Sequence, residues 1–190
     1  ITKVNCFEDM EVLEFDSIGK LEAAVTSGGL STMPWTFEGK LNTLENKTLR
    51  YKGHWEWMKA YRQLGLFSEK EIRFKNYKIS PREFYHNLLE PQLDTKDFND
   101  ICVMRVVVTG LLKNKKTKVV IDSFEEYDSI TGLMAMEKWT GWHASIVMQH
   151  IANGNISSGA YPIEKAISGK DFHQAALKRN YNIKISIGDC

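Results

Sequence analysis

Residues 102–112 restrict the fold more than any other stretch: an apolar run rich in β-branched valine, interrupted only by Arg105, Thr109 and Gly110, and followed by a lysine-rich turn. A near-continuous apolar strand of this kind is expected to be covered on both faces, so the segment reads as a central strand. Lys113, Lys115, Lys116 and Lys118 then return the chain as an antiparallel partner over residues 117–124. These lysines read as a solvated hairpin turn and not as a nucleic-acid patch. With 25 basic and 24 acidic residues, a net charge of +1 leaves no surplus for neutralising phosphates.

Strand-like and helix-like segments alternate elsewhere, with no Pro/Gly/Ser-rich linker, repeat or low-complexity tract, so the 190 residues are expected to form one compact unit. Residues 12–15 and 21–25 read as strands around a turn at Ser17-Ile18-Gly19, and residues 31–37 as a helix with Pro34 in its first turn. Residues 48–51 form a further short strand. An aromatic-rich helix follows and stops at Gly65, where a left-handed cap costs little. Ser80-Pro81-Arg82-Glu83 combines an N-cap serine, a proline at the first helical position and a glutamate placed to return a hydrogen bond; its helix runs toward Leu93.

Residues 134–152 read as one helix whose buried face draws on Met136, Ile146, Val147 and Ile151. Thr140-Gly141 interrupts it, either for close helix packing, the favoured reading, or for the approach of a substrate or neighbouring domain. A last helix begins near Ser168, with Asp171 at capping-box spacing, and stops at Asn180 before a closing strand over residues 183–187. Strands gathered in one sheet with helices over it define an α+β layer, not a doubly wound sheet.

A hydrophobic content of 43% and a charged content of 26% suit an ordinary globular core. Cys6, Cys102 and Cys190 are odd in number and lack Cys-x-x-Cys spacing, which argues against a disulfide framework and structural zinc and for a cytoplasmic setting. His143 and His150 share a helix face without a third ligand, so no metal is expected. No long apolar stretch suggests a membrane span.

The chemistry concentrates in Thr48-Leu49-Arg50-Tyr51-Lys52-Gly53-His54. A guanidinium at a strand end offers two N–H donors in a planar fork that matches a carboxylate; the alternative is an ordinary strand-end ion pair. Tyr51 and His54 could orient such a carboxylate or serve as packing residues. Ser27-Gly28-Gly29 lies between a strand and a helix, so its glycines either bring backbone N–H groups near a ligand or make a plain turn. No Ser-His-Asp, Cys-His or nucleophile-elbow arrangement is present, and the catalytic residues stay unknown. No GxGxxG or P-loop occurs either.

The heptapeptide resembles the Thr-Leu-Arg-Tyr-Pro-Gly-His signature of the saccharopine dehydrogenase family. The likeness continues in order through residues 21–32, 59–67, the Ser80-Pro81-Arg82 helix start, the paired strands within 103–124 and Thr131-Gly132 to Thr140-Gly141. The resemblance covers nearly the whole chain and extends to lysine 6-dehydrogenases and carboxynorspermidine dehydrogenases. It implies the family's second domain, a mixed, largely antiparallel sheet with helices on one face, similar to the carboxy-terminal domain of glyceraldehyde-3-phosphate dehydrogenase. The open face of such a sheet usually meets another subunit, so a homodimer is expected.

Two departures bear on substrate. Lys52 replaces the signature's proline, which loosens the turn without displacing Arg50. Gly28, Gly29 and Leu30 stand where fungal saccharopine enzymes carry Asn-Arg-Asp, so one expected carboxylate-binding arginine is absent. That points to a less acidic substrate such as lysine or carboxynorspermidine, although saccharopine names the family's broadest group.

The resulting expectation is a substrate-binding and dimerisation domain of an oxidoreductase acting on the amine of a lysine-derived amino acid. Arg50 clamps a carboxylate, with Ser27, Gly28, Gly29, Thr48, Leu49, Tyr51 and His54 around it. NAD or NADP is held by a separate nucleotide-binding domain, absent from this chain, and none by this domain alone. The chain starts at Ile1 in what reads as mid-strand, and is taken as part of a longer protein whose fragment alone is inactive. The alternatives are a non-catalytic homodimerisation module and a regulatory domain that binds amino acids.

Overall fold

Each strand pair in the computed structural model, which describes residues 2–26, 29–94 and 99–190, is antiparallel. Three of the five pairs are hairpins, their strands joined by two or three residues; in the other two a long connection brings the later strand back antiparallel. The chain divides into two compact units, Ile1–Asp97 and Phe98–Cys190.

In the first unit, β1 (Glu11–Phe15) and β2 (Gly19–Ala24) pair with Glu11 opposite Ala23 and Phe15 opposite Gly19. The helix expected over residues 31–37 shortens to one turn, α1 (Met33–Thr36), with Pro34 in that turn. β3 (Thr48–Arg50) then takes the other edge of β2. Leu21, Glu22, Ala23 and Ala24 are all buried, as suits the middle strand of three. Gly53 and Gly65, at φ 91° and 86°, bracket α2 (His54–Leu64), a conformation in which a Cβ would be strained.

A small hairpin that the sequence pattern did not reveal follows, β4 (Ile72–Phe74) with β5 (Tyr77–Ile79). The Ser80 side chain then caps α3 (Pro81–Leu93), its hydroxyl accepting the Glu83 N–H at 3.4 Å. Phe15, Leu21, Ala23, Ala24 and Trp55 are the buried apolar residues here.

The second unit is built on β6 (Ile101–Leu112) and β7 (Lys115–Glu126), in register from Ile101 opposite Glu126 to Leu112 opposite Lys115. Lys113 and Asn114 both take positive φ, 51° and 64°, as a two-residue turn that follows strand twist requires. Arg105 is paired across the ladder with Asp122 through two bonds of 2.7 and 2.8 Å. Further along the chain come α4 (Ala135–Glu137), a π-helical turn (Lys138–Trp142), α5 (His143–Ala152), α6 (Ile163–Ala166), α7 (Gly169–Leu177) and β8 (Ile183–Asp189). Ser168 caps α7, accepting the Asp171 N–H at 3.1 Å. Ile146, Ala176 and Tyr181 form the core, surrounded by Trp139, Trp142, Ile167, Phe172 and Ile183.

The α+β class holds, but the described strands divide among three sheets and are not gathered in one. Alternation marks a segment as a strand without saying which edge it joins. The central-strand reading of residues 102–112 is corrected for the same reason: β8 pairs with β7, so β7 is central and β6 lies at the edge. Val106, Val107 and Val108 are 40–52% exposed rather than covered on both faces. Gly141 is likewise corrected, because a Cβ added there would meet nothing within 4 Å; no close helix packing requires the glycine. Among the described residues no helix is long and apolar enough to cross a membrane.

Candidate functional site at the β3–α2 turn

Arg50 ends β3 directly opposite Glu22 of β2. Opposed residues in an antiparallel pair share a sheet face, so guanidinium and carboxylate lie on the same side of the strands. Glu22 is nevertheless committed elsewhere: it is 7% exposed, and its Oε2 accepts the Gly53 N–H at 3.0 Å. An acid there satisfies an orphan donor at the start of α2 and complements the helix dipole. The Trp55 indole N–H donates to the Glu22 carbonyl at 3.0 Å, tying the first turn of α2 back to β2.

Arg50 is exposed, and its Nη1 donates to the Leu49 carbonyl at 2.7 Å. Its guanidinium carbon lies 5.9 Å from the centre of the Trp55 ring, within cation–π range. No carboxylate among the described residues forms an ion pair with it. One N–H is thus tethered and the guanidinium lies at the outer edge of cation–π range of an aromatic ring, while the Nε–Nη2 edge makes no hydrogen bond among the described residues. A planar fork restrained in this way can accept a carboxylate in two parallel bonds.

His54 is half-buried, its ring meeting Trp55 edge-on at 4.8 Å. Burial first, and then the Arg50 charge, push its pKa below the ordinary 6.5, while Glu22 pulls the other way. The unfolded chain therefore holds the extra proton first, and stability falls as pH descends through the unfolded value toward the folded one. His54→Gln should flatten that decline in urea midpoints measured from about pH 7.5 to about pH 5, a window that spans the unfolded pKa. A slope unchanged by the substitution would contradict this account.

The Thr48 and Thr26 hydroxyls meet at 2.8 Å, linking β3 to the end of β2. Leu49 is half-buried and supplies the carbonyl that holds Arg50. Tyr51 is 61% exposed, so the packing reading does not hold for it. Ser27 and Gly28 lie outside the described residues. A Cβ added to Gly29 would overlap the Asn46 side-chain amide, so the glycine admits that amide. The sequence reading missed Glu22 and the platform role of Trp55. The one signal in the sequence was an acid inside an apolar strand, between Leu21 and Ala23.

The second unit has an open concavity of about 310 Å³ bordered by Glu125, Glu126, Asp128, Lys138 and Asn182. At its base Lys138 pairs with Glu125, whose other oxygen accepts the Asn182 N–H at 2.7 Å. Burial and Glu125 push the pKa of Tyr181 up to about 12, and its hydroxyl donates to the Lys138 carbonyl at 2.9 Å. Among the described residues no group of His, Cys, Asp and Glu could hold a metal ion.

A dinucleotide needs a glycine-rich turn feeding a full helix, so that several N–H groups reach the pyrophosphate. Here no GxGxxG exists, Gly29 faces Asn46, and the helix after it is a single turn of four residues. The residues present do not fit a nicotinamide dinucleotide.

Fold and sequence thus define an α+β chain whose described strands form antiparallel sheets. The family model described as the saccharopine dehydrogenase C-terminal domain matches residues 3–179, a span running through both units. The chain belongs to that family.

Proposed function

We propose that this chain is the substrate-binding and dimerisation part of a saccharopine dehydrogenase-like oxidoreductase acting on the amine of a lysine-derived amino acid. The observation that carries the reading is Arg50: tethered to Leu49, within cation–π range of Trp55, and without an acid partner among the described residues. An arginine held in this way is suited to a ligand carboxylate. The nicotinamide cofactor, NAD or NADP, is supplied by another domain of the parent protein, because the residues here do not cradle it. The deciding experiment is an assay of the parent protein with lysine, saccharopine and carboxynorspermidine in the presence of NAD and NADP. Turnover of one of them supports the reading, and inertness toward all three would refute it.

The dimer is supported by apolar side chains left open on one face of β6 and β8. Val106, Val108, Leu112, Ile185 and Ile187 share that face by register and are 40–66% exposed. Surfaces of this kind mark contact sites more often than free surface. Sedimentation velocity at micromolar concentration is expected to give a dimer that Val108→Lys shifts toward monomer; a monomer throughout would exclude it.

A further inference from the structure

Glu22 is committed through only one of its oxygens. Oε2 caps α2 at Gly53, whereas Oε1 takes no hydrogen bond among the described residues, although the residue is 7% exposed. That oxygen is not sealed away: among the described residues, Trp139 Nε1 is the buried side-chain polar atom left without a partner. An acceptor-only group so placed calls for a donor. Arg50, with its open donor edge, stands opposite in the register. Directly opposed residues hold their Cβ atoms about 4.5–5.5 Å apart, so one small ligand can touch both.

We infer that Glu22 and Arg50 together form a receptor for the zwitterionic head of an α-amino acid, Arg50 taking the carboxylate and Glu22 Oε1 the α-ammonium. The inference rests on the carboxylate reading of Arg50 and adds a second recognition element to it. The two opposite charges face each other across the ladder without pairing. A ligand that carries one group of each sign on the same carbon, as an α-amino acid does, complements both. A carboxylate lacking the neighbouring ammonium satisfies only Arg50 and leaves Glu22 Oε1 without a donor, which is how polar sites reject analogues.

The test is isothermal titration of the full chain with L-lysine and with 6-aminohexanoate, which keeps the carboxylate and distal amine but lacks the α-ammonium. Wild type is expected to prefer lysine by about 10- to 100-fold, the range for hydrogen bonds to charged groups. Glu22→Gln should collapse that preference, weakening lysine and not weakening 6-aminohexanoate, which no longer leaves a charged oxygen without a donor; glutamine still offers an oxygen to the Gly53 N–H. Arg50→Ala should weaken both ligands equally. Equal affinity of wild type for the two, or a preference that survives Glu22→Gln, overturns the ammonium role and leaves the carboxylate reading standing. Binding unaffected by Arg50→Ala, or no binding of either ligand, overturns both. The wild-type comparison stands even if a variant fails to fold.

Discussion

Lys138→Ala is expected to destabilise the second unit by about 3–5 kcal/mol, the cost of leaving one partner of a buried ion pair alone. The Lys138 and Glu125 side chains are 9% and 5% exposed, and the ammonium also lies 5.5 Å from the Trp142 ring centre. Without it, Glu125 keeps only the Asn182 N–H to offset a desolvated charge. Hydrogen exchange of the α5 amides reads the loss within this unit. The double substitution Lys138→Met with Glu125→Gln should recover most of it, because two neutral groups of similar size no longer strand a charge. A single-variant loss below about 1 kcal/mol, the level of a surface pair, would show the two to be effectively solvated.

Arg50→Ala is expected to weaken binding of an amino-acid ligand by about 1.5–3 kcal/mol, roughly 10- to 100-fold in Kd. Exposure of Arg50 places the effect below that of a fully desolvated pair. Arg50→Lys should recover only part, since an ammonium keeps the charge but loses the planar fork. Titration calorimetry measures the affinity, and thermal unfolding should stay close to wild type because Glu22, not Arg50, holds the start of α2. An affinity equal to wild type would remove Arg50 from the site.

Where local chemistry decides structure, the sequence was informative. Ser80 and Ser168 start their helices because a serine hydroxyl satisfies a specific N–H, and Gly65 ends its helix because no other residue takes φ 86° cheaply. The lysine-rich hairpin turn was legible for a similar reason. Sheet membership was not: β-branching told strand from helix at residues 102–112 but could not say that β8 would return to β7 and leave β6 at the edge.

The candidate site was half legible. Arg50 stood out by residue type beside a glycine turn. Glu22 did not, because its significance arises only once β2 and β3 are paired across a separation of 28 residues, 50 minus 22. Met136 illustrates a third limit. It was grouped with Ile146 on one buried face, yet it is 54% exposed while Ile146 is fully buried. The 3.6-residue period used to group them does not survive the π-helical turn between them.

That widened turn gives the segment tolerance of one particular change in length. A single wide turn holds one residue more than an α-helical turn, so loss of one residue between Lys138 and Trp142 would restore ordinary winding while leaving the face of the following helix nearly where it is. Ile146 would stay in the interior. The same loss at the start of α5, where winding is already ordinary, would instead turn everything after it by about 100°, one position in 3.6. Descendants of this chain can therefore shorten the wide turn by one residue more freely than they can shorten the helix that follows it.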